Sequence, residues 1–213
     1  LNMIMDCLRE FQLQTPQTIV VVAPRILLAE QLSSEFLEFI TNAEVLHVHS
    51  GETHHQSSTR PSVIAEYNDT AIGSGKHQFI FTTYNSIVRV NEADINIDVV
   101  YFDEAHHCVK PSNFVGIAHT SAVAENAYFF TATPKFNNSK ESMNNTDVYG
   151  NNIISIPAQE LIEAGSIIPP RVVPYEAQTI RTKENAPFVD AENIVGILSE
   201  ISDCDAPKVL VAA

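Results

Sequence analysis

Two adjacent acids, Asp103 and Glu104, stand directly after the apolar run Asp98-Val-Val-Tyr-Phe102. Such a run reads as a buried strand, and ligands of open parallel sheets bind outside the carboxyl ends of the strands. Acids in that place could serve phosphate chemistry. An aspartate can hold a magnesium ion beside nucleotide phosphates, and a neighbouring glutamate can polarise the water that attacks a γ-phosphate. The plain alternative is a pair of acids capping the next turn. Two further constellations invite chemistry and carry less. His47, His49, His54 and His55 fall close together, but a zinc site prefers a defined ligand set, often with cysteine, and none lies nearby. They read as surface histidines. His106-His107-Cys108 contains a thiol and two imidazoles, yet neighbours on a chain rarely face each other and Cys108 has no evident partner base.

The elements that must position these residues alternate between strand and helix. Thr18–Ala23 is a continuous β-branched run of the kind buried on both faces, and Pro24 ends it. Residues 25–40 place Leu28, Leu32, Phe36 and Phe39 on one helical stripe. Strands are expected at 43–48, 78–82, 98–102 and 127–131, with helices at 61–67, 85–90 and 115–124 between them and a polar loop at 49–59. Residues 1–11 carry helical spacing through Ile4, Leu8 and Phe11. Alternation of this kind predicts an α/β fold with a parallel sheet covered by helices on both faces. Residues 137–152 hold six asparagines and read as loop. Beyond them come a short helix at 157–164 with Gly165 past its end, an edge strand at 171–175, a polar linker at 181–190, a helix at 191–203 and a terminal β-type run at 208–213.

Composition sets the outer limits. The chain has 213 residues, 45% hydrophobic and 18% charged, which reads as globular. No apolar run approaches the roughly 20 residues of a membrane span, and no secretory signal pattern is evident. Three cysteines suit a reducing compartment better than a disulfide framework. These features point to an intracellular protein, neither secreted nor membrane-bound. The net charge of −14 argues against a purely electrostatic nucleic-acid clamp, although residues 184–213 alone supply six acids against one lysine. Both ends read as internal to a longer polypeptide.

Several motifs together carry a family resemblance. Asp103-Glu104-Ala105-His106 resembles motif II of the superfamily 2 helicases and translocases, in its DEAH form. Thr131-Ala132-Thr133-Pro134 resembles their motif III. Pro24-Arg25 with Leu28 and Gln31 resembles motif Ia, and Phe81-Thr82-Thr83-Tyr84-Asn85-Ser86 the Thr-Thr-Tyr-x-Ser element between the two. Glu160-Leu-Ile-Glu-Ala-Gly165 with Pro169-Pro170 resembles the closing segment of the first lobe in the branch related to type I and type III restriction-enzyme motor subunits. All occur in the family's order, over residues 18–175.

The resemblance implies a RecA-like P-loop NTPase fold and an ATP-dependent motor working on nucleic acid, DNA ahead of RNA. It implies that Asp103 binds magnesium, that Glu104 orients or deprotonates the attacking water, and that His106 joins the γ-phosphate surroundings to motif III. Thr131, Ala132 and Thr133 would couple hydrolysis to movement. Pro24, Arg25, Thr82 and Thr83 would meet the sugar-phosphate backbone, which gives affinity without reading sequence. Residues 1–178 would form the first RecA-like lobe and 179–213 a linker and the start of the second. The family also needs a Gly-x-x-x-x-Gly-Lys-Ser/Thr phosphate loop, expected just before Leu1. Gly73-Ser74-Gly75-Lys76-His77 is no substitute, because Thr70 and His77 stand where a glycine and a hydroxyl are required and a strand follows; it reads as a flexible turn. Alternatives are a catalytically inactive scaffold lobe of the same fold, or the motor part of a restriction or repair nuclease.

Overall fold

The computed structural model describes residues 3–5, 15–169 and 179–201. Five strands make one all-parallel sheet: β1 (Thr18–Ala23), β2 (Ala43–Val48), β3 (His77–Thr83), β4 (Val99–Phe102) and β5 (Asn126–Phe129), in the order β2-β3-β1-β4-β5. Between them lie α1 (Ile26–Leu37), α2 (Pro61–Gly73), α3 (Ile87–Asn91), a 3-10 turn (Ala105–His107) and α4 (Pro111–Val123). Then come α5 (Thr146–Tyr149), α6 (Ala158–Glu163) and α7 (Ala186–Ile201). The chain divides into two compact units between Ile153 and Ile154, and the sheet belongs to the first.

β1 is buried along its whole length because it lies between two strands and beneath helices on both sides. Its side chains alternate between two cores, as a pleated strand requires. Val20 and Val22 join Ile64 of α2, Ile87 and Val90 of α3 and Ile117 of α4. Ile19, Val21 and Ala23 join Ala29 and Phe36 of α1, with Phe79, Phe81 and Tyr101. Each buried Val, Ile or Phe among them stabilises the fold by about 1.5–3 kcal/mol, which is why an unbroken apolar run predicts this strand so well. Pro61 and Pro111 open α2 and α4 in the first turn, where a missing amide hydrogen costs nothing.

The α/β class and the parallel sheet agree with the sequence reading; several boundaries do not. α2 runs on to Gly73 through Asn68, Asp69 and Thr70, since Asn68 is buried and accepts from the Thr18 hydroxyl at 2.7 Å. The expected flexible turn is a helix C-cap: Ser74 closes α2, Gly75 takes φ +79°, and Lys76 pairs with Glu44 before β3 begins. The asparagine-rich loop contains α5, whose Tyr149 packs edge-on against Phe129 at 4.9 Å. The expected linker at 181–190 already holds the start of α7, with Arg181 forked onto Asp190 at 2.7 and 3.0 Å. Gly165 does follow its helix, at φ +69°. Of the expected helix at 1–11 only residues 3–5 are described, and they are helical; the strands at 171–175 and 208–213 lie outside the described residues. Among the described residues no helix is long and apolar enough to cross a membrane.

His47 and His49 are a second correction. They are not surface residues but are buried at the carboxyl end of β2, and the His47 side chain is wholly enclosed. The His47 ring stacks on His55 at 4.8 Å and on Phe81 at 5.6 Å, and its Nε2 lies 3.1 Å from the Ser33 hydroxyl of α1. Residues 56–58 cover the same strand, the His47 amide donating to the Gln56 carbonyl and the Ser58 amide to the His47 carbonyl. Among the described residues no group of three or more His, Cys, Asp or Glu side chains is placed to hold a metal ion.

Candidate active site and nucleic-acid interface

Sheet order brings the predicted residues to one rim. β1 and β3 end side by side, Ala23 opposite Thr83, and β1 and β4 continue the edge with Val22 opposite Phe102, which in turn faces Phe129 of β5. Thr83, Pro24-Arg25, Asp103-Glu104 and Thr131 therefore follow one another along the carboxyl ends of adjacent strands. This is where open parallel sheets bind ligands. The β3-to-β4 connection also crosses from one flank of β1 to the other, so the rim contains a change of direction in strand order.

At the β4 end the backbone turns sharply. The Asp103 amide donates to the Val22 carbonyl at 2.9 Å, the last tie to β1. Glu104 then takes φ 48° and ψ 50°, the left-handed region, which costs a residue bearing Cβ about 1–3 kcal/mol. The turn persists because both flanking peptides are held. The Asp103 carbonyl accepts from the Tyr84 hydroxyl at 2.6 Å, and the Ala105 amide donates to the Phe130 carbonyl at 2.8 Å. The outcome is a glutamate side chain about half exposed at the sheet's mouth.

His106 gathers the neighbouring groups. Its Nδ1 lies 3.1 Å from the Thr131 hydroxyl, 3.3 Å from the Thr133 hydroxyl and 3.2 Å from Oε2 of Glu104. The Thr133 amide donates to Thr131 Oγ1 at 3.2 Å, folding the Thr-Ala-Thr segment back on itself. Ala132 is exposed between them. One imidazole thus touches the acidic turn and both threonines.

Asp103 is half-buried, and burial, reinforced by the Glu104 charge, pushes its carboxyl above the ordinary value against the opposing bond from the Glu104 amide. No described residue forms an ion pair with it. A carboxylate disfavoured by burial and lacking a cationic partner fits a divalent cation, which would restore its charged form. The described residues offer no complete metal cage, and that also suits magnesium, commonly held by one or two carboxylates together with substrate phosphates.

The other half of the rim is less uniform. Arg25 is exposed at the start of α1, forms no ion pair with a described residue, and lends its carbonyl to the amides of Leu28 and Ala29. Pro24 is partly exposed beside it. Thr82 departs from expectation: its side chain is fully buried and its hydroxyl donates to the Val48 carbonyl at 2.7 Å, so it stitches β3 to β2 and presents nothing to a ligand. Its place in the sequence gave no hint of this, because a strand covered on both faces shows no polar side. Thr83 is nearly buried, with Oγ1 3.2 Å from the Ser86 hydroxyl. Tyr84, which sequence reasoning passed over, links this half of the rim to the acidic turn. Its one visible signal was its place inside the Thr-Thr-Tyr element.

Comparison with known proteins bears on the fold and the family of the chain. Residues 2–136 match the family described as Type III restriction enzyme, res subunit. No curated protein matches the chain. Among solved structures, a nuclease-deletion mutant of the Type ISP restriction-modification enzyme LlaGI in complex with a DNA substrate mimic superposes with a TM-score of 0.60. It is 20% identical over 70% of this chain and 14% of its own length. The ATP-dependent Type ISP restriction-modification enzyme LlaBIII bound to DNA gives a TM-score of 0.56, with 15% identity over 75% of this chain and 13% of its own. The chain spans only a small part of those enzymes, and at these identities the likeness shows the fold. With most of the sheet-bearing unit inside the family match and that unit folded as a RecA-like α/β lobe, the chain belongs to the Type III restriction enzyme res-subunit family, a helicase-like branch of superfamily 2.

Proposed function

We propose that this chain is the ATP-binding lobe of a nucleic-acid helicase or translocase that couples ATP hydrolysis to movement along its substrate. The observation that carries the reading is His106, whose Nδ1 lies within hydrogen-bonding distance of Glu104, Thr131 and Thr133 at once. A change in the charge or position of Glu104 during hydrolysis reaches the Thr-Ala-Thr segment through a single ring. Glu104 orients the attacking water and takes its proton, Asp103 supplies the carboxylate that anchors magnesium, and Arg25 meets a backbone phosphate with Thr83 beside it. Bound magnesium would neutralise phosphate charge as it develops.

DNA is the preferred substrate in this reading, supported by the two DNA-bound or DNA-mimic-bound enzymes of like fold. Residues 1–178 form the first lobe in this proposal and 179–213 lead into the second. The phosphate loop and the second lobe come from elsewhere in a longer, intracellular polypeptide, with a restriction-type assembly as its setting. The 213-residue chain alone therefore has no magnesium-dependent ATPase activity. The test is the ATPase rate of the full-length protein with single-stranded DNA, with RNA and with neither. Stimulation by DNA is expected; a rate indifferent to both nucleic acids would end the motor reading, and no turnover under any of the three conditions would favour an inactive scaffold lobe.

A further inference from the structure

Tyr84 follows the last residue of β3 and is almost fully buried. Its ring stacks on Phe102 at 6.4 Å and leans on His107 at 6.0 Å. Its hydroxyl receives the Cys108 thiol at 3.7 Å and passes its own hydrogen to the Asp103 carbonyl. Burial holds both groups in their protonated forms, raising the Tyr84 phenol and pushing the Cys108 thiol up to about 12, so the hydroxyl remains a donor.

The bond matters because of what the Asp103 carbonyl belongs to. The peptide between Asp103 and Glu104 defines one side of the Glu104 φ torsion, and the peptide between Glu104 and Ala105 one side of its ψ. Tyr84 fixes the first peptide, and the Phe130 carbonyl fixes the second through the Ala105 amide. Phe130 immediately precedes Thr131, and Tyr84 immediately follows Thr83. The left-handed Glu104 is thus clamped between the two segments that, in the reading above, answer to movement and to nucleic acid.

We propose that Tyr84 is a positioning residue that, through its hydroxyl, sets the backbone orientation of Glu104 according to the state of the adjoining Thr83 at the end of β3. Nucleic acid bound at the end of β3 then aligns Glu104 for hydrolysis through one hydrogen bond. This inference rests on the motor reading.

The test is Tyr84→Phe in the full-length protein, which keeps the ring stacked on Phe102 and deletes only the hydroxyl. ATPase turnover is measured with and without single-stranded oligodeoxythymidine, together with the KM for ATP, the DNA Kd and the thermal midpoint. The expected result is a fall of about tenfold in DNA-stimulated kcat, the scale of one lost hydrogen bond. KM and Kd should stay close to wild type, while Tm falls modestly as the Asp103 carbonyl loses its donor and the protein stays folded at the assay temperature. Cys108→Ala, which leaves the hydroxyl bonded to Asp103, should retain stimulation. Unchanged stimulated turnover in Tyr84→Phe would overturn the inference alone. So would a kcat loss matched by Cys108→Ala, since packing would then be the cause. A wild-type ATPase that ignores DNA would overturn the motor reading and this inference with it.

Discussion

The two halves of the sheet's rim are built on opposite plans. On the β4–β5 side the side chains hold one another: Glu104, His106, Thr131 and Thr133 share one cluster of short polar contacts around a left-handed residue. On the β1–β3 side they do not meet. Arg25 extends into solvent, Thr82 is spent inside the sheet and Thr83 is tied to its own turn. The difference follows from the work proposed for each half. Chemistry at a phosphate needs groups set to within fractions of an ångström before the substrate arrives. A contact that must form and release along any sequence needs an available charge and a firm base beneath it, and preorganisation there would only slow release. Tyr84 joins the two plans.

The comparison can be broken most decisively at Glu104. Glu104→Gln in the full-length protein keeps size and hydrogen bonding but removes the base, and turnover should fall by about 10²–10⁴ while ATP still binds, measured by equilibrium titration beside steady-state rates. Equal loss of binding would make Glu104 a structural residue and the cluster a turn cap. A smaller effect is expected on the other side. Arg25→Ala should weaken single-stranded DNA binding by about tenfold and lower the slope of log affinity against log salt by about one. An unchanged slope would mean Arg25 meets no phosphate. The smallest effect sharpens the contrast: Thr82→Val should lower unfolding stability by about 1 kcal/mol, the Val48 carbonyl losing its donor, with DNA affinity unaltered. A change in affinity without a change in stability would return Thr82 to the interface.

Much of this was legible in the sequence, for a physical reason. A strand covered on both faces must be apolar throughout, so Thr18–Ala23 and Val99–Phe102 announce themselves, and acids just beyond the second can lie only at the rim. What stayed hidden depends on partners distant in the chain. Nothing near Thr82 says that Val48 waits for its hydroxyl, and nothing in the Asp-Glu pair says that Glu104 is left-handed, because Tyr84 and Phe130 impose it. The polar end of α2 hid a helix, since Asn68 faces Thr18. The buried histidines were hidden by their own chemistry: a neutral imidazole stacks like a small aromatic ring, yet its letter reads as polar.

That last feature gives this lobe a threshold in acid. Burial first, then the neighbouring His55 and His49 rings, lowers the His47 imidazole from 6.5 to about 4, with Glu30 pulling weakly the other way, and burial lowers His49 as well. Between those two values an unfolded chain takes up a proton that the folded chain refuses. Each step down in pH from 6.5 therefore tilts the balance toward the open form, until the folded imidazole also accepts a proton near 4. The sheet margin at β2, closed at neutral pH by packed imidazole rings, loosens on acidification. Unfolding midpoints followed from pH 7 to pH 4.5 should decline less steeply in His47→Phe than in the parent chain. Equal declines would place the acid sensitivity elsewhere.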